Sequence, residues 1–112
     1  MGDQEDGVPH VRVEGDEHRV VVRVGGEMDL DRAPILRGAL HAVITQPDAP
    51  GEIVLDLAEL TFCDSTGLNA FLQARLTALE HGLRISLHAP PGQFLRLLAM
   101  TGTAALFPIT YG

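Results

Sequence analysis

Lysine and tryptophan are both missing from this 112-residue chain, and cysteine occurs once. With aromatics at only 4% of residues, the core has to be assembled from Leu, Val, Ile and Ala. The lone Cys63 has no partner for an internal disulfide, which fits a reducing compartment. No basic start precedes an apolar run, and no apolar stretch approaches the roughly 20 residues of a membrane-spanning helix. A cytoplasmic location follows as the expectation, with no membrane partner. The basic residues are eight scattered arginines against fifteen acidic side chains, for a net charge of -7. That balance disfavours direct nucleic-acid binding, which needs clustered cations along a phosphate backbone.

What the chain does have is 46% hydrophobic residues, enough for one self-sufficient domain without disulfides or a metal. Residues 1–9 are acidic and polar and are expected to be disordered; residues 10–112 are expected to form the domain. Val11 and Val13 alternate with Arg12, and Val20, Val22 and Val24 with Val21 and Arg23, around a Gly15-Asp16 turn, as in a hairpin with one buried face. Gly25-Gly26 is expected to end the second strand. Asp31 is a plausible N-cap, with Pro34 in the first turn of a helix carrying Leu36, Ala39, Leu40 and Val43. Pro47 and Pro50-Gly51 break it.

Ile53–Leu57 is nearly all apolar, which suits a central strand covered on both faces. A helical pattern of Leu68, Phe71, Leu72, Leu76 and Leu79 follows, with these residues expected in the core and Gly82 as a left-handed cap. Leu83, Ile85 and Leu87 make the next strand. Phe94, Leu97, Leu98 and Thr101 share one side of a last helix, and Leu106–Ile109 reads as an edge strand because Pro108 has no N–H to donate. The order β-β-α-β-α-β-α-β predicts an α/β fold, with a mixed sheet of about five strands and right-handed crossovers.

Chemistry concentrates at Asp64-Ser65-Thr66-Gly67, where an apolar segment gives way to a helix. Backbone N–H groups there lack intrahelical partners, and the helix dipole is positive. Asp64 or Ser65 is expected to cap the helix, for about 1 kcal/mol. A helix start that accepts a carboxylate also accepts a phosphate.

Five stretches, taken in order, resemble the STAS family and in particular its bacterial anti-sigma factor antagonists. They are Gly26-Glu27-Met28-Asp29, Ala33-Pro34-Ile35-Leu36, Ile53–Leu57, Phe62–Leu68 and Leu97–Gly102. The similarity runs from Val11 to Ile109. It implies that Ser65, directly after Asp64, is phosphorylated by an anti-sigma factor that is itself a serine kinase. Asp29, Asp64, Thr66 and Asn69 would then join Ser65 in the partner surface, with Gln73 and Arg75 on the same side. Unphosphorylated protein would bind the kinase, phosphorylation would release it, and a PP2C-type phosphatase would reset the switch. A monomer or weak dimer is expected. The chain ends soon after Ile109, where many relatives continue into a further helix.

Catalysis is not expected. There is no Gly-x-Ser-x-Gly elbow, no phosphate loop with its lysine, and no ligand-like pairing of His10, His18, His41, His81 and His88. No cofactor or metal is expected either. The alternative within the family is a non-switching scaffold or adaptor subunit, for example in a lipid-transport or signalling complex.

Overall fold

The structure is a computed structural model that describes residues 10–49 and 51–111. The N-terminal stretch expected to be disordered and Pro50 lie outside the described residues.

The hairpin forms as its alternation requires. β1 (His10–Gly15) pairs antiparallel with β2 (Arg19–Met28), Val11 opposite Val24 and Val13 opposite Val22. Asp16 makes the turn: its Oδ1 accepts the N–H groups of His18 and Arg19 at 2.8 and 3.1 Å. Gly25-Gly26 does not end β2. The strand runs through both glycines, and Gly26, at φ 81°, sits where the register shifts. Beyond that kink β2 leaves β3 and pairs with another short strand. Only a residue without Cβ takes this backbone conformation at no cost.

Helix α1 (Ala33–Ile44) follows, with Pro34 in its first turn. The expected cap, Asp31, does not serve. The N-cap position is Arg32, and Asp29 supplies the side chain: its Oδ1 accepts the Arg32 N–H at 3.2 Å and its Oδ2 the Arg32 guanidinium at 2.8 Å. Next come β3 (Glu52–Asp56), the short β4 (Leu60–Cys63), α2 (Ser65–Glu80), β5 (Arg84–His88) and α3 (Gly92–Thr101). Gly82 and Gly102 both adopt positive φ just past a helix end. The last apolar stretch splits into a 3-10 turn at Ala104–Leu106 and β6 (Ile109–Thr110).

The sheet order is β1-β2-β3-β5-β6, with β4 as a further strand on β2. Every pairing after the hairpin is parallel. Along the path β1-β2-β3-β5-β6 the strands advance in one direction, and right-handed crossovers that keep that direction put their helices on one side of a sheet. Burial follows suit. Val22, Val24, Ile53, Leu55, Ile85 and Leu87 face the helices and are buried. Val21, Val54, Asp56, Ser86 and His88 are half-buried and line a shallow hollow of about 400 Å³ on the other face. The Ile53–Leu57 strand is therefore covered on one face among the described residues, not on both.

Helix α2 also departs from its expected packing. It buries Ala70, Ala74 and Ala78 beside Leu68 and Phe71, while Leu76 and Leu79 are 50% and 54% exposed. Its close contact with α1 and β5 selects small residues, and the larger leucines are left on the flank. Among the described residues, no helix is long and apolar enough to cross a membrane.

Candidate functional site

The site is built where β2 and β4 end. The N–H of Asp64, the residue after β4, donates to the carbonyl of Met28, the last residue of β2, at 3.2 Å. Asp29 and Asp64 therefore leave the sheet side by side. Asp64 is the N-cap of α2: its backbone is extended (φ -100°, ψ -174°) and its Oδ1 accepts the Gly67 N–H at 2.9 Å. One of the two residues considered for capping thus takes that role, and Ser65 does not. Ser65 becomes the first helical residue, exposed, and its hydroxyl has no hydrogen-bond partner among the described residues.

Gly67 explains how the helix start fits. A Cβ there would overlap the Met28 carbonyl oxygen and lie 2.8 Å from the Cys63 Sγ. Backbone on one side and a buried thiol on the other leave little room to yield. Gly67→Ala is expected to cost about 1–3 kcal/mol, read as a lower urea midpoint with an unchanged slope.

Cys63 lies beneath the loop, fully buried, and its Sγ donates to the Asp64 carbonyl at 3.4 Å. Burial, and then the neighbouring Asp64 charge, push its thiol up to about 12. Against the ordinary 9.0, this leaves about a thousandfold less thiolate at neutral pH. Alkylation by iodoacetamide in the folded protein is expected to fall by at least that factor relative to the unfolded chain. Equal rates would show that Cys63 is accessible and reactive.

The loop is also held from the far side by a residue that sequence reasoning missed. Gln93, near the start of α3, accepts the Cys63 N–H on its Oε1 at 3.0 Å and donates its Nε2–H to the Cys63 carbonyl at 2.8 Å. This two-point clamp satisfies the end of β4 as another strand would. Its signal in the sequence is slight: a polar residue in the first turn after Pro90-Pro91-Gly92.

Between this loop and α3 runs a groove of about 370 Å³, lined by Phe62, Cys63, Asp64, Ser65, Gln93, Arg96, Leu97 and Met100. Met100 is 83% exposed and Phe62 41%. Of the expected partner residues, Asp64 and Ser65 border this groove. Thr66 and Asn69 lie alongside on the first turn of α2, half-buried and exposed respectively. Asp29 is reached through Met28, and its carboxylate is already engaged: partial burial works against its charge, but the bonds and charge of Arg32 prevail and hold it below its ordinary value. Gln73 is exposed, whereas Arg75 donates its Nε–H to the Leu106 carbonyl at 2.9 Å and so braces the last turn. Among the described residues, no group of His, Cys, Asp and Glu is arranged to hold a metal ion.

Fold and site together define a class: a small α/β domain that presents an exposed serine hydroxyl, unbonded among the described residues, on a capped helix start at the carboxyl ends of its strands. A family model described as Mlab, STAS domain, matches residues 11–108. The chain belongs to the STAS domain family. It is 27% identical over 101 residues to the anti-sigma-B factor antagonist of Bacillus subtilis (strain 168), covering 90% of each chain. The crystal structure of an anti-sigma factor antagonist from Mycobacterium paratuberculosis shares 28% identity and superimposes with a TM-score of 0.80, covering 93% of this chain and 86% of that one. The anti-sigma factor antagonist SpoIIAA in its unphosphorylated form shares the fold, with a TM-score of 0.74 at 22% identity over 89% of this chain and 87% of that one.

Proposed function

We propose that this protein is a cytoplasmic anti-sigma factor antagonist working by partner switching. With Ser65 free it binds an anti-sigma factor that is a serine kinase, and the sigma factor is displaced. Phosphorylation of Ser65 ends the contact, and a PP2C-type phosphatase restores it. The protein is the substrate in this cycle and supplies no catalytic group. The observation that carries the reading is the unbonded, exposed Ser65 hydroxyl on the first residue of α2, beside the Asp64 cap. The antagonists named among its relatives support it.

Partner contact is assigned to Asp64, Ser65, Thr66 and Asn69, with Asp29 at the edge. Asp64 has a double role, because its carboxylate shapes the loop whether or not a partner is bound.

Incubating the protein with the host's candidate serine kinases and ATP, followed by intact mass and site mapping, tests the proposal. One added phosphate on Ser65 is the expected result. A folded protein that none of them modifies would turn the reading to a non-switching scaffold or adaptor subunit. The Mlab description of the matching family model favours that second reading.

A further inference from the structure

Among the described residues β1 is an edge strand: it pairs with β2 alone and carries no strand on its outer side. Which of its backbone groups face outward follows from the hairpin. The Asp16 N–H donates inward to the Arg19 carbonyl at 3.0 Å. Hydrogen-bonding positions alternate along an antiparallel ladder, so Glu14, Arg12 and His10 bond inward as well. Val11, Val13 and Gly15 then point their N–H and C=O groups outward.

Natural edges are commonly guarded by charges that repel a second strand. Here the edge carries charges of both signs, in exposed ion pairs that a second strand can share. His10 and Arg12 meet Glu59 at 2.8 and 3.3 Å, and Glu14 meets Arg23 at 3.1 Å. Val13 is 54% exposed on the other face of the strand.

The sequence of the edge, Val11-Arg12-Val13-Glu14-Gly15, has opposite charge one residue either side of Val13. We infer that this edge pairs antiparallel with the same edge of a second copy, about a two-fold axis at Val13. The backbone restricts the choice, because outward groups must meet outward groups and the axis has to fall on a residue. An axis at Arg12 would oppose two guanidinium groups, and one at Glu14 would oppose two carboxylates. Only the Val13 axis sets Arg12 against Glu14 of the second copy, twice. These charged pairs then occupy the non-hydrogen-bonded positions, where facing side chains come closest. Val13 faces itself across the axis, and Val11 faces Gly15. The two sheets become one. This contact is independent of the phosphorylation reading.

Cross-linking tests the register and sedimentation tests the association. A Val13→Cys variant is expected to form a covalent homodimer on mild oxidation, because residues facing each other at hydrogen-bonded positions lie about 5.5 Å apart between Cα atoms, within disulfide range. Val11→Cys, opposite a glycine, is expected not to. Cys63 does not compete, being buried. In sedimentation equilibrium the unaltered full chain is expected to double in mass with rising concentration, and to lose this in high salt. Arg12→Glu abolishes the doubling, and Arg12→Glu with Glu14→Arg restores it, both chains remaining folded by circular dichroism. A chain that stays monomeric at every concentration overturns the inference. So does Val11→Cys cross-linking as fast as Val13→Cys, or a folded Arg12→Glu that dimerises like the original.

Discussion

Ser65→Asp is expected to lose kinase binding by roughly a hundredfold or more while the protein stays as stable as before. The two halves of that result have different causes. Asp64 already supplies the N-cap through the Gly67 N–H, so Ser65 is not needed to hold the helix. The first turn of α2 carries no acidic residue, and a carboxylate placed there faces the positive end of the helix dipole, for a gain of about 0.3–1 kcal/mol. The fold therefore tolerates the charge. A partner that closes over Ser65 does not, because a phosphate adds about two negative charges in the middle of a contact bordered by Asp64. Ser65→Ala is the complementary case: it binds, and it resists release by ATP. Equal kinase affinities for the Asp and Ala variants, with both folded, would end the switching model. A Ser65→Asp chain that melts well below the original would show that the serine has a structural role the hydrogen bonds do not reveal.

How far such a site is legible in a sequence depends on how far apart its parts lie. The Asp64 cap is a matter of three neighbouring residues, so the change from apolar segment to helix is enough to place it. The Gln93 clamp joins residues 30 apart. Nothing local marks a glutamine that will bond Cys63, so α3's part in the site is invisible until the chain folds. Asp29 falls between these cases. Its turn is local, but Asp31 and Asp29 both suit a helix start, and the guanidinium of Arg32 decides in favour of Asp29.

The misplaced burials have a similar origin. Ile53–Leu57 looks covered on both faces because Val54 is apolar, yet coverage depends on strand order, which no single strand encodes. A sheet that advances in one direction leaves Val54 half-buried beside Val21 and Ser86. In α2 the largest apolar residues look like the core by size alone. The helix buries Leu68 and Phe71 as expected, but farther along it buries its alanine stripe and leaves Leu76 and Leu79 outside, because tight contact with neighbouring elements there favours small side chains. Glycine misleads in the opposite direction. Gly25-Gly26 reads as a stop, but it is the point at which β2 bends away from β3 toward β4, and that bend brings Met28 to Asp64.

Phe71→Ala is expected to have the largest effect on stability, about 3–5 kcal/mol. Phe71 is completely buried, as is Phe94, and their rings meet edge to face with centroids 5.4 Å apart and planes at 71°. Truncation removes the transfer energy of one ring, the ring contact, and the packing around the space it leaves. Domains of this size hold roughly 5–15 kcal/mol in total, so the melting temperature should fall by roughly 10–20 °C. Leu76→Ala, on the same helix but half exposed, should change stability by no more than about 0.5 kcal/mol. Phe71 also ties α2, which starts at Ser65, to α3, which carries Gln93. At temperatures where the variant is still folded, amide exchange at Cys63 should therefore speed up more than exchange in the edge strand β1. Uniform acceleration across the sheet would mean that the aromatic pair stabilises the whole core without holding the site in place, and equal losses for Phe71→Ala and Leu76→Ala would refute the burial assigned to α2.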